Sequence, residues 1–179
     1  MIKTSEYFWI KKDPDAPSIT NAAGFTRSKY PYFTDAVSFS KVDDEVAYYE
    51  YKGIVTHCDI LFEPTFLIND RLQSLFTFLE PEIKFKGVQL YQFDNRENSS
   101  KPLYWLPYLP YVEAIHEATE VIQGKPKRLI LKRENLSDSR VIHCKLPAAD
   151  IWILSLEAAE CLLRRQPVGI ILEKIYDIR

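Results

Sequence analysis

The strongest constraint on the fold is a strand–helix–strand pattern that occurs twice in the sequence. In the clearer copy, an apolar run is followed by Ser155, by the amphipathic stretch 156–165, by Pro167 and Gly169, and by a second apolar run. A serine hydroxyl can accept a free N–H of the first helical turn, while proline and glycine are typical of helix ends. The pattern therefore predicts a helix over residues 156–164 between two strands.

The apolar residues of this predicted helix indicate which of its sides is buried. Leu156, Ala159 and Leu163 recur at the spacing of one helical face, and Leu162 lies beside them. We therefore expect this face to pack against the core, and a change such as Leu163→Ala to be destabilising.

The first copy of the pattern begins at Phe66 and ends near Phe93. Asn69 occupies the capping position, the helix is predicted over Asp70–Leu79, and Pro81 stops it. The residues that recur on its apolar face are Leu72, Leu75, Phe76 and Leu79. Two such copies among other strand-like segments predict an α+β fold with a mainly antiparallel sheet, two similar strand–helix–strand units and an irregular N-terminal segment.

The length of 179 residues predicts a single domain. Within it we expect an N-terminal segment over residues 1–44, a first strand–helix–strand region over residues 45–94 and a second region over residues 103–179. The polar stretch between the two regions is predicted to be a loop.

Composition limits the partners and the compartment that we expect. A net charge of −2 gives no electrostatic reason to expect nucleic acid as a partner. The three cysteines are too sparse for a secreted disulfide scaffold, and no apolar run has the length of a membrane span or of a signal-peptide core. We therefore expect a cytoplasmic protein with neither a nucleic-acid nor a membrane partner.

Two adjacent histidine–cysteine pairs are the best candidate metal ligands. They are His57-Cys58 and His143-Cys144, and two histidines with two cysteines could complete a tetrahedral zinc site. Neighbouring residues on a strand point to opposite faces, so one pair can hardly give both of its ligands to the same metal. We therefore predict neither a metal nor another cofactor.

Two kinds of catalytic site stay open as alternatives. A cysteine could meet a histidine in the folded chain and form a nucleophilic pair. The segment 112–122 has some helical spacing, and on a helix Glu113, Glu117 and Glu120 would share one side. Paired carboxylates can act as acid and base, although such a stripe is more often a solvated face. No phosphate-binding or hydrolase motif favours an enzyme, and we predict no catalytic residue.

Two aromatic stretches are candidates for contact with a protein partner. Their residues are Asp43, Asp44, Glu45, Tyr48, Tyr49 and Tyr51 in the first stretch, and Tyr104, Trp105 and Tyr108 in the second. Tyrosine beside acidic residues suits the capture of a basic partner. Because Pro107 and Pro110 interrupt the second stretch, we do not expect it to form a central strand.

The order of several segments is shared with one protein family. The segments are Asp59-Ile60-Leu61, the run 66–72 around Asn69, the proline-containing aromatic stretch, the strand-like runs 128–132 and 141–144, and the strand–serine–helix–glycine–strand pattern of residues 153–172. Over about residues 45–176 the chain resembles a bacterial family of small immunity proteins. These proteins are encoded beside polymorphic toxins and were long catalogued as a domain of unknown function.

The resemblance implies a protein that binds and neutralises a cognate toxin without catalysis. The family tends to have a serine as the first helix cap, where this chain has Asn69. The resemblance implies no catalytic residues. The alternatives are an uncharacterised enzyme with a Cys–His or carboxylate site, and a small-ligand-binding domain.

Overall fold

The computed structural model describes residues 6–16, 20–24, 36–41, 47–52, 58–62, 65–92, 102–136, 138–147 and 149–179. The helices are α1 (Ala36–Ser40), α2 (Asp70–Leu79) and α3 (Leu156–Leu163), and Arg133–Asn135 forms a turn of 3₁₀ helix. The strands are β1 (Tyr7–Lys12), β2 (Thr20–Gly24), β3 (Ala47–Lys52), β4 (Ile60–Leu61), β5 (Leu67–Asn69), β6 (Lys84–Gln92), β7 (Leu103–Tyr108), β8 (Val121–Ile122), β9 (Lys125–Pro126), β10 (Ile130–Leu131), β11 (Val141–Leu146), β12 (Ala149–Ser155), β13 (Ile170–Ile175) and β14 (Asp177–Ile178).

The described strands form two larger sheets and two short pairs. One sheet has six strands in the order β2–β3–β6–β7–β5–β4, and the other has four in the order β11–β12–β1–β13. In the six-stranded sheet all neighbours are antiparallel except β3 and β6. The short pairs are the antiparallel β8–β9 and the parallel β10–β14. The fold is therefore α+β with mostly antiparallel pairing, as the sequence predicts.

The chain divides into two compact units. The central unit consists of Lys12–Pro110 and Pro167–Ile170, and the terminal unit of Met1–Lys11, Tyr111–Gln166 and Ile171–Arg179. The six-stranded sheet belongs to the central unit, whose core includes Leu67, Val88, Leu90, Tyr104 and Leu106. The core of the terminal unit includes Leu131, Ile142, Cys144, Ile151 and Ile153. The single-domain organisation stays a prediction.

The helix predicted over Asp70–Leu79 is confirmed as α2. Its buried residues are Leu72, Leu75, Phe76 and Leu79, which is the predicted apolar face. The next strand along the chain is β6, as the strand–helix–strand pattern predicts.

The second predicted helix is also confirmed, as α3, but only part of its predicted apolar face is buried. Leu156 is 41% exposed and Leu163 is 55% exposed, whereas Ala158, Ala159 and Leu162 are buried. At 3.6 residues per turn, the buried residues centre about a quarter of a turn away from the line through Leu156 and Leu163. The helix therefore packs through two alanines and one leucine.

The expectation that prolines exclude the second aromatic stretch from a central strand is wrong. β7 contains Pro107 and lies between β6 and β5. Pairing with β5 reaches only as far as Trp105, which lies opposite Ile68, whereas Pro107 lies opposite Phe85 of β6. β7 therefore has an unpaired side at Pro107, and a proline is tolerated where no ladder partner needs its missing N–H.

The helix expected over residues 112–122 does not form. The Val112 N–H donates to the His143 carbonyl at 2.8 Å, and the His116 N–H donates to the Ile130 carbonyl at 2.8 Å. These are bonds to neighbouring extended segments, so the backbone of this region has no need of helical hydrogen bonds.

The glutamates of this region consequently do not form one acidic stripe. The Glu117 carboxylate accepts a hydrogen bond from the Lys132 ammonium, and a Glu120 oxygen lies 3.6 Å from the Lys127 nitrogen. At Glu113 it is the backbone carbonyl that accepts a hydrogen bond, from the Asn135 amide. Two of the three carboxylates are therefore occupied by separate lysines, which does not favour a paired-carboxylate active site.

Candidate partner-binding site

The first predicted binding stretch lies largely outside the described residues. Asp43, Asp44 and Glu45 are not described, and of Tyr48, Tyr49 and Tyr51 only the backbone is described. That backbone forms β3, which lies between β2 and β6 within the six-stranded sheet. Partner contact by these residues stays a prediction.

The second predicted stretch divides between the core and the surface. Tyr104 is 1% exposed and its hydroxyl donates to the Cys58 carbonyl, while Tyr108 is 6% exposed and stacks on Phe39 with ring centroids 5.0 Å apart. Both tyrosines belong to the core of the central unit. Of the three predicted residues in β7, only Trp105 therefore offers a partner appreciable surface.

The Trp105 side chain is held in a defined position. Its indole Nε1–H donates to Asp70 Oδ1 at 2.9 Å, and its ring meets the Phe85 ring edge-to-face with centroids 6.4 Å apart. The hydrogen bond fixes one edge of the indole and the ring contact supports another part of it. Trp105 is thus half-buried on a sheet yet ordered before any partner binds.

A glycine lies next to Trp105 on the neighbouring strand. Gly87 of β6 lies opposite Trp105, and a Cβ atom added there would stand 3.7 Å from Leu103 Cδ1 and 3.9 Å from Trp105 Cζ3. These are ordinary van der Waals distances, so a methyl group would fit without displacing a neighbour. We call the residues Asp70, Phe85, Gly87, Leu103 and Trp105 the Trp105 surface.

Alternation along β6 keeps its lysines away from the Trp105 surface. Lys84 and Lys86 lie opposite Tyr108 and Leu106, on the core side of the sheet, and the Lys86 ammonium stands 5.8 Å from the centroid of the Phe39 ring. Successive side chains of a strand point to opposite faces, so the Trp105 face carries Phe85 and Gly87 instead. Within the described chain, no lysine or arginine forms an ion pair with Asp70.

A buried carboxylate, to which the sequence pattern assigned no role, organises one end of the central unit. Asp59 is 2% exposed and accepts hydrogen bonds from the Asn69 amide, from Arg71 Nε at 2.9 Å and Nη2 at 2.6 Å, and from the Val168 N–H at 2.7 Å. Buried charges need such partners because desolvation is costly. Asp59 therefore anchors the start of α2 and the turn at Val168 to one point.

The turn at Gly169 packs closely against Cys58, the residue before Asp59. Gly169 has φ +89°, and a Cβ atom there would lie 3.0 Å from Cys58 Sγ and 3.1 Å from Cys58 Cβ. Both the left-handed backbone and the close approach to Cys58 therefore require glycine. The sequence offered one signal for this cluster: its residues all lie within the segments that resemble the immunity family. They are Asp59, Asn69, Arg71 and Gly169.

Two of the three cysteines, Cys58 and Cys144, do not have the properties of activated nucleophiles. Burial raises the pKa of Cys144 to about 11, and burial together with the nearby Asp59 carboxylate raises the pKa of Cys58. A reactive cysteine needs a lowered pKa, because the thiolate is the nucleophile. At neutral pH these two side chains are protonated thiols packed in the core.

His143 packs among aromatic rings in the terminal unit. Its ring stacks on Trp152 with centroids 4.1 Å apart and lies 4.6 Å from the Tyr111 ring, while His143 Nε2 is 3.7 Å from Asp150 Oδ1. Cys144 follows on the same strand and is buried. His57 lies outside the described residues. Among the residues that are described, no group of three or more His, Cys, Asp or Glu side chains could hold a metal ion.

The terminal unit also carries a groove of about 620 Å³ that contains the other described histidine. Its polar lining includes His116, Glu117, Lys132 and Lys145. The Lys132 ammonium donates to Glu117 and lowers the pKa of that carboxyl, while His116 Nδ1 accepts the Ala118 N–H at 3.0 Å. In a histidine–carboxylate catalytic pair, Nδ1 instead donates to the carboxylate. His116 and Glu117 are therefore not arranged as such a pair.

The helices and the comparisons add three negative findings. None of the described helices is long and apolar enough to cross a membrane. No model of a known protein family matches the chain, and it has no significant match among curated proteins. Membership of the immunity family therefore stays a prediction from the sequence pattern.

Proposed function

We propose that the protein is an immunity-type protein that binds a cognate bacterial toxin and blocks it without catalysis. The observation that carries the proposal is the Trp105 surface, where a tryptophan at the face of a sheet is fixed by Asp70 and Phe85. Tryptophan is enriched among residues that dominate binding energy at protein interfaces. An aromatic residue that is already ordered loses little conformational freedom on binding.

The state of the candidate catalytic groups supports a binding role over an enzymatic one. The two cysteines with perturbed pKa values are shifted away from the thiolate, and His116 Nδ1 is engaged by a backbone N–H. Blocking a toxin requires only that the complex covers or distorts the toxin's own site. A dissociation constant near 1 nM, typical of a tight complex, corresponds to about 12 kcal/mol of binding free energy. A few anchor residues can supply most of such an energy.

The decisive experiment is co-expression with the toxin encoded by the adjacent gene. We expect cells to survive toxin induction only when this chain is present, and the two purified proteins to form a stable complex. The mass of the toxin should be unchanged after incubation with the chain. Cell death on toxin induction, although the folded chain is present, would overturn the proposal. A covalently altered toxin would also overturn it and would establish that the chain is an enzyme.

A small-ligand-binding function is the second candidate, and the groove of about 620 Å³ in the terminal unit favours it. The ammonium of Lys145 stands 5.4 Å from the centroid of the Tyr111 ring at this groove. A bound anionic ligand should raise the melting temperature, and Lys145→Gln should reduce that shift. Lys125→Gln, at an exposed lysine in the hairpin β8–β9, is the matched control.

A further inference from the structure

We infer that the Trp105 surface binds a basic side chain, an arginine guanidinium or a lysine ammonium, presented by a protein partner. The cation would lie against the indole of Trp105 and be neutralised by the carboxylate of Asp70. The inference rests on the proposed function only for the identity of the partner as a toxin. The chemistry of the surface can be tested without any toxin.

The first argument is the pairing of an indole with a carboxylate. Trp105 donates its Nε1–H to Asp70 Oδ1 at 2.9 Å, so a negative charge is held at the edge of the aromatic ring. Cations are attracted to the face of a tryptophan, which is the best of the aromatic residues for this contact. Donation of the N–H to a carboxylate polarises the indole and increases the electron density of the ring. Both groups therefore favour the same kind of ligand.

The second argument is that the described chain brings no cationic side chain to this carboxylate. Arg71 is the next residue after Asp70, but its guanidinium is bound in a two-pronged contact to Asp59. Lys84 and Lys86 lie on the other face of the sheet. Asp70 is exposed, and the described part of the chain forms no ion pair with it. A cation from a partner would complete the charge balance.

The third argument is the shape of the surface. The absence of a side chain at Gly87 leaves space between Leu103 and Trp105. Arginine and lysine have long aliphatic stems that pack on apolar surface while the charged head reaches a polar group. The half-buried Phe85 and Leu103 offer that apolar contact, and Asp70 offers the polar group. A basic side chain therefore matches this site in both shape and charge.

The test follows the indole N–H signal of Trp105 in NMR spectra of the full chain, with Trp105→Phe to assign it among the three tryptophans. The probes are N-acetyl-arginine methylamide and its uncharged counterpart N-acetyl-citrulline methylamide. We expect the arginine probe to shift the signal progressively with concentration, and added salt to weaken that shift. The citrulline probe should leave the signal nearly unchanged.

Asp70→Asn isolates the contribution of the charge, because asparagine keeps an oxygen that can accept the indole N–H. We expect this variant to bind the arginine probe about two- to fivefold more weakly, the upper part of the range of an exposed ion pair. Glu82→Gln removes an exposed carboxylate from the turn that precedes β6 and is the matched control, with no change expected.

Several results would overturn the inference. An equal shift with the citrulline probe, or an unchanged affinity in Asp70→Asn, would exclude recognition of a cation. A response to N-acetyl-norleucine methylamide alone would identify an apolar occupant. A shift that appears on concentrating the protein without any probe would identify a second copy of this chain as the occupant.

The same variants separate this inference from the proposed function. If the adjacent toxin binds but Asp70→Asn and Gly87→Ala leave its dissociation rate unchanged, the inference fails and the proposed function stands. If the arginine probe binds as expected but the toxin does not, the proposed function fails and the surface keeps its assigned chemistry.

Discussion

The two strand–helix–strand units share one sequence pattern but anchor their helices differently. At the start of α3, the Ser155 hydroxyl accepts the Ala158 N–H at 3.3 Å, which is a helix cap. At the start of α2, Asn69 has the extended backbone of a capping residue, yet its side chain makes no cap hydrogen bond. Its amide donates to the buried Asp59 instead. The residue before the helix therefore caps the helix in the case of Ser155, whereas in the case of Asn69 it stabilises the buried charge of Asp59.

The two helices also differ in how they are buried. α2 buries four large apolar side chains, whereas α3 buries two alanines and one leucine. Large side chains contribute more to stability because burial energy follows the apolar area removed from water. The difference shows that a cap and an apolar period define a helix without fixing which of its sides meets the core.

The Asp59 anchor and the buried Leu75 of α2 give the largest expected effects. In Asp59→Ala, Asn69, Arg71 and the Val168 N–H lose their common acceptor. Removing one partner of a buried ion pair costs about 3–5 kcal/mol, and we expect the lower end because the Arg71 side chain is 52% exposed and can regain water. Urea unfolding measures the loss, with Glu82→Ala as the exposed-carboxylate control. A loss as small as that of the control would mean that the turn at Val168 holds its position independently of the carboxylate.

Truncating one leucine in each helix tests the difference in burial directly. Leu75→Ala should cost about 2–5 kcal/mol, because it removes a buried side chain and leaves a cavity. Leu163→Ala should cost less than about 1 kcal/mol, because Leu163 is 55% exposed. Thermal or urea unfolding of the two variants, side by side, gives the comparison. Equal losses would mean that α3 is buried on the side that the sequence period predicts.

Local rules predicted the helices well because their determinants lie within a few residues. Ser155 caps α3, and the period of Leu72, Leu75, Phe76 and Leu79 places one side of α2 in the core. Such signals depend on backbone geometry that neighbouring residues set by themselves. They are visible in any single sequence.

The remaining features depend on residues that are distant in the chain. Asp59 meets Val168, and Trp105 meets Asp70, only in the folded structure, across long stretches of chain. The helix predicted around Glu117 is replaced by an irregular segment with a turn at residues 117–118, because its backbone groups pair with neighbouring segments of the terminal unit. Sequence periodicity contains no information on such pairings, and the Trp105 surface could be predicted only as one of several aromatic candidates.

An exchange of the two capping residues gives smaller effects than the Asp59 and Leu75 changes, and it is the sharpest test of the comparison. Asparagine and serine are nearly equal as N-caps. If each residue did no more than cap its helix, Asn69→Ser and Ser155→Asn would both be close to neutral. The unequal roles of the two residues predict an unequal result.

We expect Asn69→Ser to cost about 1.5–3 kcal/mol, the range for a hydrogen bond to a charged group, because the shorter hydroxyl does not reach Asp59 as the amide does. Ser155→Asn should stay within about 0.5 kcal/mol of the parent, since asparagine can still accept the Ala158 N–H. Ser155→Ala, which removes that acceptor, should cost about 1 kcal/mol and is the reference for a lost cap. Urea unfolding resolves these differences. Equal and small losses for both exchanges would show that Asn69 and Ser155 play the same part after all, and that Asp59 is held by Arg71 and the Val168 N–H alone.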